Sequence, residues 1–273
     1  MSFTPLIIPE VEHKLVAWWK FDETEGSNAG DSSGNNLTGT LTGNPQWQPT
    51  GGKAGGALAF DGDGDFIDCG RDEELNITGA VTIAAWIKLA KSTDDQKIAG
   101  NQDDISGGYK LSIFSNKAEF EVRDSGNALR NNRFVAGGTV LQPDVWYHVV
   151  GTYSQGGSIK TYVNAKLDRE QETLSILAAS EGPLKIGCEP FSGECLFNGL
   201  MDDLQIYNYP LSETEVAALY AGQELPTMIA KTEILAASGD KQQKSNYWML
   251  ALAVVVIAAV AIGLTVRKGK TTA

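Results

Sequence analysis

Short apolar or alternating runs recur along the chain at 15–21, 57–60, 66–69, 81–89, 109–114, 117–122, 146–153, 158–163, 184–188 and 200–207. Each is of strand length, and apolar runs bounded by turn residues predict strands buried on at least one face. Between them lie clusters of Gly, Asn, Asp and Ser such as DSSGNN, GDGD, SGG and SQGG, which stop strands and supply turns. One segment breaks the pattern. At 212–220, just after Pro210, Ser212 and Glu215 have the spacing of a capping box, which predicts a short helix. Many short strands without a long amphipathic helix predict an all-β fold, a two-sheet antiparallel jelly-roll sandwich.

The pattern changes again near the C-terminus. Residues 247–266 (YWMLALAVVVIAAVAIGLTV) form a run of 20 residues without a charge, roughly 30 Å long as a helix and enough to cross a bilayer core. Tyr247 and Trp248 stand at one end, where amphipathic rings prefer the headgroup zone, and Arg267, Lys268 and Lys270 follow the other. Within the run, Ala259 and Gly263 form a small-xxx-small pair, the spacing that lets helices pack closely in lipid. The expected organisation is an N-terminal extension (1–13), a jelly-roll domain (14–222), a linker or stalk (223–246), a transmembrane helix (247–266) and a short basic tail (267–273). Within the linker, MIAKTEILAAS has the composition of an interfacial or packing helix.

Charge narrows the functions. The chain has 34 acidic and 22 basic residues. All 34 acids but only 17 of the bases lie at or before Asp240, so that region carries −17. Such a surface repels nucleic acid and anionic headgroups, which excludes a nucleic-acid function. The basic tail predicts a cytoplasmic C-terminus and a domain on the extracytoplasmic face. The N-terminus has no basic n-region, so no signal peptide is visible; either a signal is missing from the sequence or the chain inserts tail-first. Cys188 and Cys195 bracket CEPFSGEC. They are spaced for a short disulfide in an oxidising compartment, which leaves Cys69 unpaired; in a reducing one all three are buried thiols.

The order of the blocks is informative. LVAWWKFDETEG, DSSGNNLTGTLTG, GGALAFDGDGDFIDCG, VTIAAWIKL, GGYKLSI, WYHVVGTY, IKTYVNAKL and FNGLMDDLQIYNYPLSETEVAALYAG follow one another. This series resembles the laminin-G-like, concanavalin A-like lectin/glucanase jelly-roll domain over residues 14 to 222. The resemblance implies that fold, and a structural Ca2+ where the first and last strands meet, with Asp22 and Asp202 as side-chain ligands beside backbone carbonyls. Ala165 departs from the family's Asn-Gly hairpin. Because a positive φ is costly for Ala, another turn geometry is expected there.

Candidate catalytic residues are few. Asp61, Asp63 and Asp65 fall at the first, third and fifth positions of an EF-hand-like loop, but Phe66 stands where the sixth requires Gly, so an acid-rich turn is expected. Glu119 and Glu121 share a strand face, yet EFEVRD differs from the Glu-x-Asp-x-x-Glu of related glycosidases, and a solvated face is expected. His13 precedes the first strand, and His148 lies in a stretch the family uses for core packing. No nucleophile elbow, phosphate loop or His-rich metal motif is present. A glycan surface would need exposed aromatics, for which Trp47, Tyr109, Phe134 and Phe191 are the candidates.

The sequence thus predicts a non-catalytic, membrane-anchored interaction module. The first expectation is an accessory or structural subunit of a multi-protein membrane complex, respiratory or photosynthetic for example, with integral membrane proteins as partners. The alternative is a cell-surface lectin-like or adhesion protein that binds polysaccharide or glycan.

Overall fold

The computed structural model describes residues 12–92, 95–103, 106–123, 132–173, 176–190, 194, 197–226 and 228–229. The expected span 247–266, with Ala259 and Gly263, lies outside the described residues, as do Phe191, Cys195, most of the linker and the basic tail. Among the described residues no helix is long and apolar enough to cross a membrane.

Two eight-stranded antiparallel sheets face one another. The first runs, edge to edge, Asn132–Ala136, Lys117–Arg123, Gly108–Phe114, Asp95–Gly100, Lys185–Ile186, Phe66–Asp68, Gly39–Thr42 and Asn28–Ala29. The second runs Lys166–Glu172, Ser158–Val163, Trp146–Ser154, Ala80–Leu89, Asn198–Tyr207, Ala57–Asp61 and Gln46–Gln48, with Leu15–Trp19 also paired to Asn198–Tyr207. Period-two alternation explains the layering. In Ala80–Leu89, Val81, Ile83, Ala85, Ile87 and Leu89 enter the inter-sheet core, where they meet Leu111, Ile113, Phe120 and Val122 from the first sheet. Each fully buried aliphatic side chain contributes about 1.5–3 kcal/mol.

The outer face of the second sheet carries a second apolar cluster. Ala84, Val150, Tyr162, Tyr207 and Tyr209 meet Leu211, Val216 and Leu219. The last two belong to the helix Glu213–Tyr220, which begins where the sequence places it. Ser212 accepts from the Glu215 N–H, and the Glu215 carboxylate accepts from the Ser212 N–H. Thr82 fixes the approach to the helix, donating to the Tyr209 carbonyl at 2.8 Å and accepting from the Leu211 N–H at 3.0 Å.

Two details depart from expectation. Asn164 and Ala165 both have positive φ, 50° and 64°, so the hairpin joining Ser158–Val163 to Lys166–Glu172 keeps the two-residue geometry that Asn-Gly would adopt. The sheet's twist demands that turn and Ala is forced into it. Lys166–Glu172 itself, KLDREQE, is an exposed edge strand with no apolar alternation to announce it.

Candidate functional site

The long strand Asn198–Tyr207 is the last to complete the second sheet, and it is not regular. Its register against Ala80–Leu89 shifts between Asp202 and Gln205, and Asp203 has φ 49°. This is a β-bulge. Met201 and Leu204, three residues apart, both enter the core, which a regular strand forbids. The bulge changes which residues of the DDLQ stretch face outward. Asp202 lies opposite Trp86, and Trp86 lies opposite His148 on the next strand.

A pocket of about 330 Å³ opens there. Trp18, Lys20 and Asp22 from the first long strand and its extension form one wall. Trp86, His148, Asp203 and Gln205 line it from the sheet, and Leu219, Gly222, Gln223 and Glu224 from the end of the helix. Trp86 stacks on Tyr220 with centroids 5.3 Å apart and meets the His148 ring at 5.1 Å. The Trp18 indole N–H donates to Asp203 Oδ1 at 2.8 Å. Lys20 Nζ lies 3.9 Å over the Trp18 ring, and Lys53 Nζ 4.8 Å over that of Trp86.

His148 is 3% exposed, and burial lowers its pKa to about 4. The ring is neutral at neutral pH, and its Nδ1 is buried without a hydrogen-bond partner. Burial and the charges of Asp22 and Glu224 raise the pKa of Asp203 against the opposing Trp18 hydrogen bond and Lys20. The pocket therefore combines aromatic surface, a neutral imidazole with an unused nitrogen, an amide and carboxylates. It can hold a hydroxyl-rich ligand by ring stacking and multiple hydrogen bonds.

Beside the pocket, Asp22 and Asp202 are brought to one glycine-rich loop, 51–56. Asp202 Oδ2 accepts from the N–H groups of Lys53 and Ala54 at 2.6 and 2.9 Å, and Asp22 Oδ1 from Gly56 at 2.7 Å. Gly55, at φ 78°, must be glycine, since a Cβ there would collide with Asp22 Oδ1. Asp202 is fully buried, and its Oδ1 has no partner. Burial raises its pKa to about 7, with Asp203 and Asp22 adding to the rise and the two loop N–H groups opposing it. These donors suit a hard cation in kind. Ca2+ would take the orphan oxygen of Asp202, an oxygen of Asp22 and backbone carbonyls, and its charge would keep Asp202 ionised. Among the described residues no group of three or more His, Cys, Asp or Glu side chains is placed to hold a metal, so a cation here would need carbonyls for its remaining ligands.

The other candidates are dispersed. Asp65 Oδ1 accepts from Asn44 and its Oδ2 from Asp61, the acid-rich turn expected. On the outer face of the first sheet, Lys110 Nζ lies 3.2 Å from both Glu121 Oε2 and Glu189 Oε2, and Gln102 donates to Glu121 at 2.9 Å. Glu121 is 8% exposed, so the solvated face expected for this segment is a buried charge network instead. Burial raises the pKa of Glu119, and Glu121 raises it further. Of the aromatics, Tyr109 belongs to the core and donates to the Leu75 carbonyl, whereas Phe134 is exposed. Trp47 is half-buried, donating to the Gly26 carbonyl at 2.8 Å. His13 stacks on Tyr209 at 4.8 Å. Cys69 is a buried free thiol and Cys188 is disulfide-bonded.

The sequence reading missed Trp18, Lys20, Trp86, Asp203 and Gln205, and placed His148 in the core. The alternation of WYHVV puts His148 on the face opposite Val149, a signal visible only once the inward face is known. The bulge that selects among DDLQ has no signature at all.

A family model for the concanavalin A-like lectin/glucanases superfamily matches residues 61–217. No curated protein matches the chain in sequence. Among solved structures it is similar to the binding domain of Paraclostridial Mosquitocidal Protein 1 (TM-score 0.63, 18% identity, 77% of this chain and 52% of that one). It is also similar to domain 4 of AbnA, an extracellular arabinanase from Geobacillus stearothermophilus, solved with arabinotriose (TM-score 0.59, 21% identity, 77% and 100%). A third is the botulinum neurotoxin serotype D ligand-binding domain, solved with N-acetylneuraminic acid (TM-score 0.61, 19% identity, 77% and 51%). The chain spans about half the length of the two toxin domains.

Proposed function

Because this chain belongs to the concanavalin A-like lectin/glucanases superfamily, we propose that it is a non-catalytic carbohydrate-binding protein whose saccharide site is the pocket beside Trp86 and His148. The observation that carries this reading is the open pocket with aromatic walls, lined by the buried, neutral ring of His148. The Nδ1 of that ring has no hydrogen-bond partner, which costs about 1–3 kcal/mol, and a turn of the ring toward the pocket would offer it to a sugar hydroxyl, donor and acceptor at once. Two of the similar structures were solved with saccharides, which favours a lectin-like role over a subunit of a membrane complex; nothing among the described residues supports the latter.

The remaining features complete the proposal. Asp22 and Asp202 hold a structural Ca2+ that keeps the 51–56 loop in place and supplies no chemistry to a ligand. Cys188 pairs with Cys195, consistent with an oxidising compartment. Residues 247–266 anchor the domain on the extracytoplasmic face, with the C-terminus cytoplasmic. The Glu121 carboxylate serves the buried charge network around Lys110, and neither it nor Glu119 cleaves glycosidic bonds.

The test is binding of the full chain, in non-ionic detergent, to an array of neutral, acidic and amino saccharides, repeated with His148→Phe. Expected is binding to one class of saccharide that falls about tenfold or more when the imidazole is removed, the order expected for a buried hydrogen bond. No saccharide binding, or binding indifferent to His148→Phe, overturns the assignment of this pocket.

A further inference from the structure

We infer that Asp203 and Gln205 choose the ligand of this pocket by gripping two adjacent hydroxyls of an uncharged saccharide, one donating to Asp203 and the other accepting from Gln205. The inference rests on the saccharide-binding reading above and names the ligand class and the residues that select it. Charge does not discriminate here. Lys20 and, over Trp86, Lys53 stand against Asp203 and Glu224, while Asp22 is committed to the 51–56 loop. Nor do the tryptophan faces discriminate: Lys20 lies over Trp18, Lys53 over Trp86, and Tyr220 stacks on Trp86. Selection falls to the polar groups left open on the pocket wall.

Asp203, Gln205 and Tyr207 follow one another on the outer face of the strand, while Leu204 and Ile206 turn into the core. Each of the two pocket residues has one atom tied down from behind. The Trp18 indole N–H, which can only donate, holds Asp203 Oδ1 at 2.8 Å. The Tyr207 O–H holds Gln205 Oε1 at 2.6 Å, and burial raises the pKa of Tyr207, so it keeps that proton. These two bonds fix the polarity of what remains. Asp203 Oδ2 is an acceptor and Gln205 Nε2 a donor, and neither is hydrogen-bonded to another of the described residues. Two residues apart on one strand face, about 7 Å along the backbone, they present acceptor and donor side by side. Hydroxyls on adjacent ring carbons meet both, since each can donate or accept. A trans amide cannot, because its N–H and C=O point in opposite directions. An ammonium group has no acceptor to offer and a carboxylate no donor.

Titration calorimetry of the full chain, in non-ionic detergent, with the methyl glycosides of glucose, mannose and galactose and their monodeoxy analogues tests this. Between them the three sugars carry adjacent hydroxyls in both cis and trans arrangement. At least one should bind, with an affinity that holds as salt rises from about 0.05 to about 0.5 M. Removing either member of one adjacent hydroxyl pair should weaken it about tenfold, and removing any other hydroxyl should change it little. Asp203→Asn keeps an acceptor for Trp18 and suits the positive φ, but replaces Oδ2 by a donor. It should lower affinity about tenfold, after which the first hydroxyl can be removed at little further cost. Tyr207→Phe releases the Gln205 amide and should do the same for the second hydroxyl. If deleting a hydroxyl costs as much in these variants as in the unaltered chain, Asp203 and Gln205 do not read the ligand. Affinity that falls with salt, or failure of all three glycosides while the array retains another saccharide, overturns the hydroxyl-pair assignment and leaves the saccharide site standing. Absence of binding to any saccharide would overturn the site itself.

Discussion

The two sheets share one core but treat their outer faces differently. On the first, the charged groups answer one another: Lys110 is held between Glu121 and Glu189, Lys97 reaches Asp95 at 2.6 Å and Glu189 at 3.6 Å, and Gln102 donates to Glu121. Burial opposes the charge of Lys110, but Glu121 and Glu189 outweigh it and its pKa rises. On the second, His148 Nδ1 and, beside the 51–56 loop, Asp202 Oδ1 are left over and a pocket remains open. Both faces hold buried polar atoms without partners, Ser112 Oγ and Gln102 Oε1 on the first; what separates them is that the first matches its charges internally, whereas the second leaves a carboxylate oxygen unpaired beside an open pocket.

The comparison can be broken by mutation. Glu121→Ala leaves Lys110 buried with half its partners, and chemical denaturation should show a loss of about 3 kcal/mol. Replacing the pair together, Lys110→Met with Glu121→Leu, should recover most of it. If the single change costs under about 0.5 kcal/mol, the first face is as loosely matched as the second.

The second face should instead announce itself through pH. His148 has a folded pKa of about 4 against about 6.5 unfolded, so the unfolded chain binds the extra proton and stability is lost as pH falls through that interval, by about 3 kcal/mol. Asp202 has the opposite sign. Its folded pKa of about 7 lies above the unfolded value, so its contribution is present below about pH 4 and lost as pH rises through 7. In chelator the two oppose each other and the melting temperature should vary little between about pH 4 and 7. His148→Phe should unmask a melting temperature that falls as pH rises, and Asp202→Asn one that rises. Added Ca2+ should restore His148→Phe at neutral pH. Parallel profiles for both variants would refute the assignment of these groups.

Smaller effects sharpen the picture at the edges of the second sheet. Ser212→Ala removes the acceptor for the Glu215 N–H and should cost about 1 kcal/mol. Ala165→Gly should raise stability by up to about 1 kcal/mol, because both turn residues are at positive φ. A loss of stability there would mean the hairpin tolerates Ala without strain.

The legible part of this molecule is whatever one face of a strand or helix dictates. Val81 to Leu89, Tyr109 to Phe114 and the capping box of Ser212 and Glu215 are visible because burial and capping act within a few residues. Asp22 and Asp202 were reached through the family resemblance, and the structure brings them to the same loop. The pocket was illegible for a physical reason. Its members come from four strands and a helix end, and the outward placement of Asp203 and Gln205 depends on a bulge that no residue pattern marks. Tyr109, a candidate for an exposed aromatic, lies in the core instead, where its hydroxyl is satisfied by the Leu75 carbonyl.

The strands Glu12–His13 and Met228–Ile229 pair antiparallel, Glu12 opposite Ile229 and His13 opposite Met228. The polypeptide thus enters and leaves the sandwich through one doorway. Such a body can be spliced into a surface turn of another protein without prising that turn apart, or reconnected end to end and opened at the Asn164–Ala165 hairpin instead. Under tension applied across these two ends, their short ladder peels apart in sequence, from the end at Glu12 and Ile229, before any strand of either sheet is drawn out. The site beside Trp86 would then keep its grip while the attachment stretches.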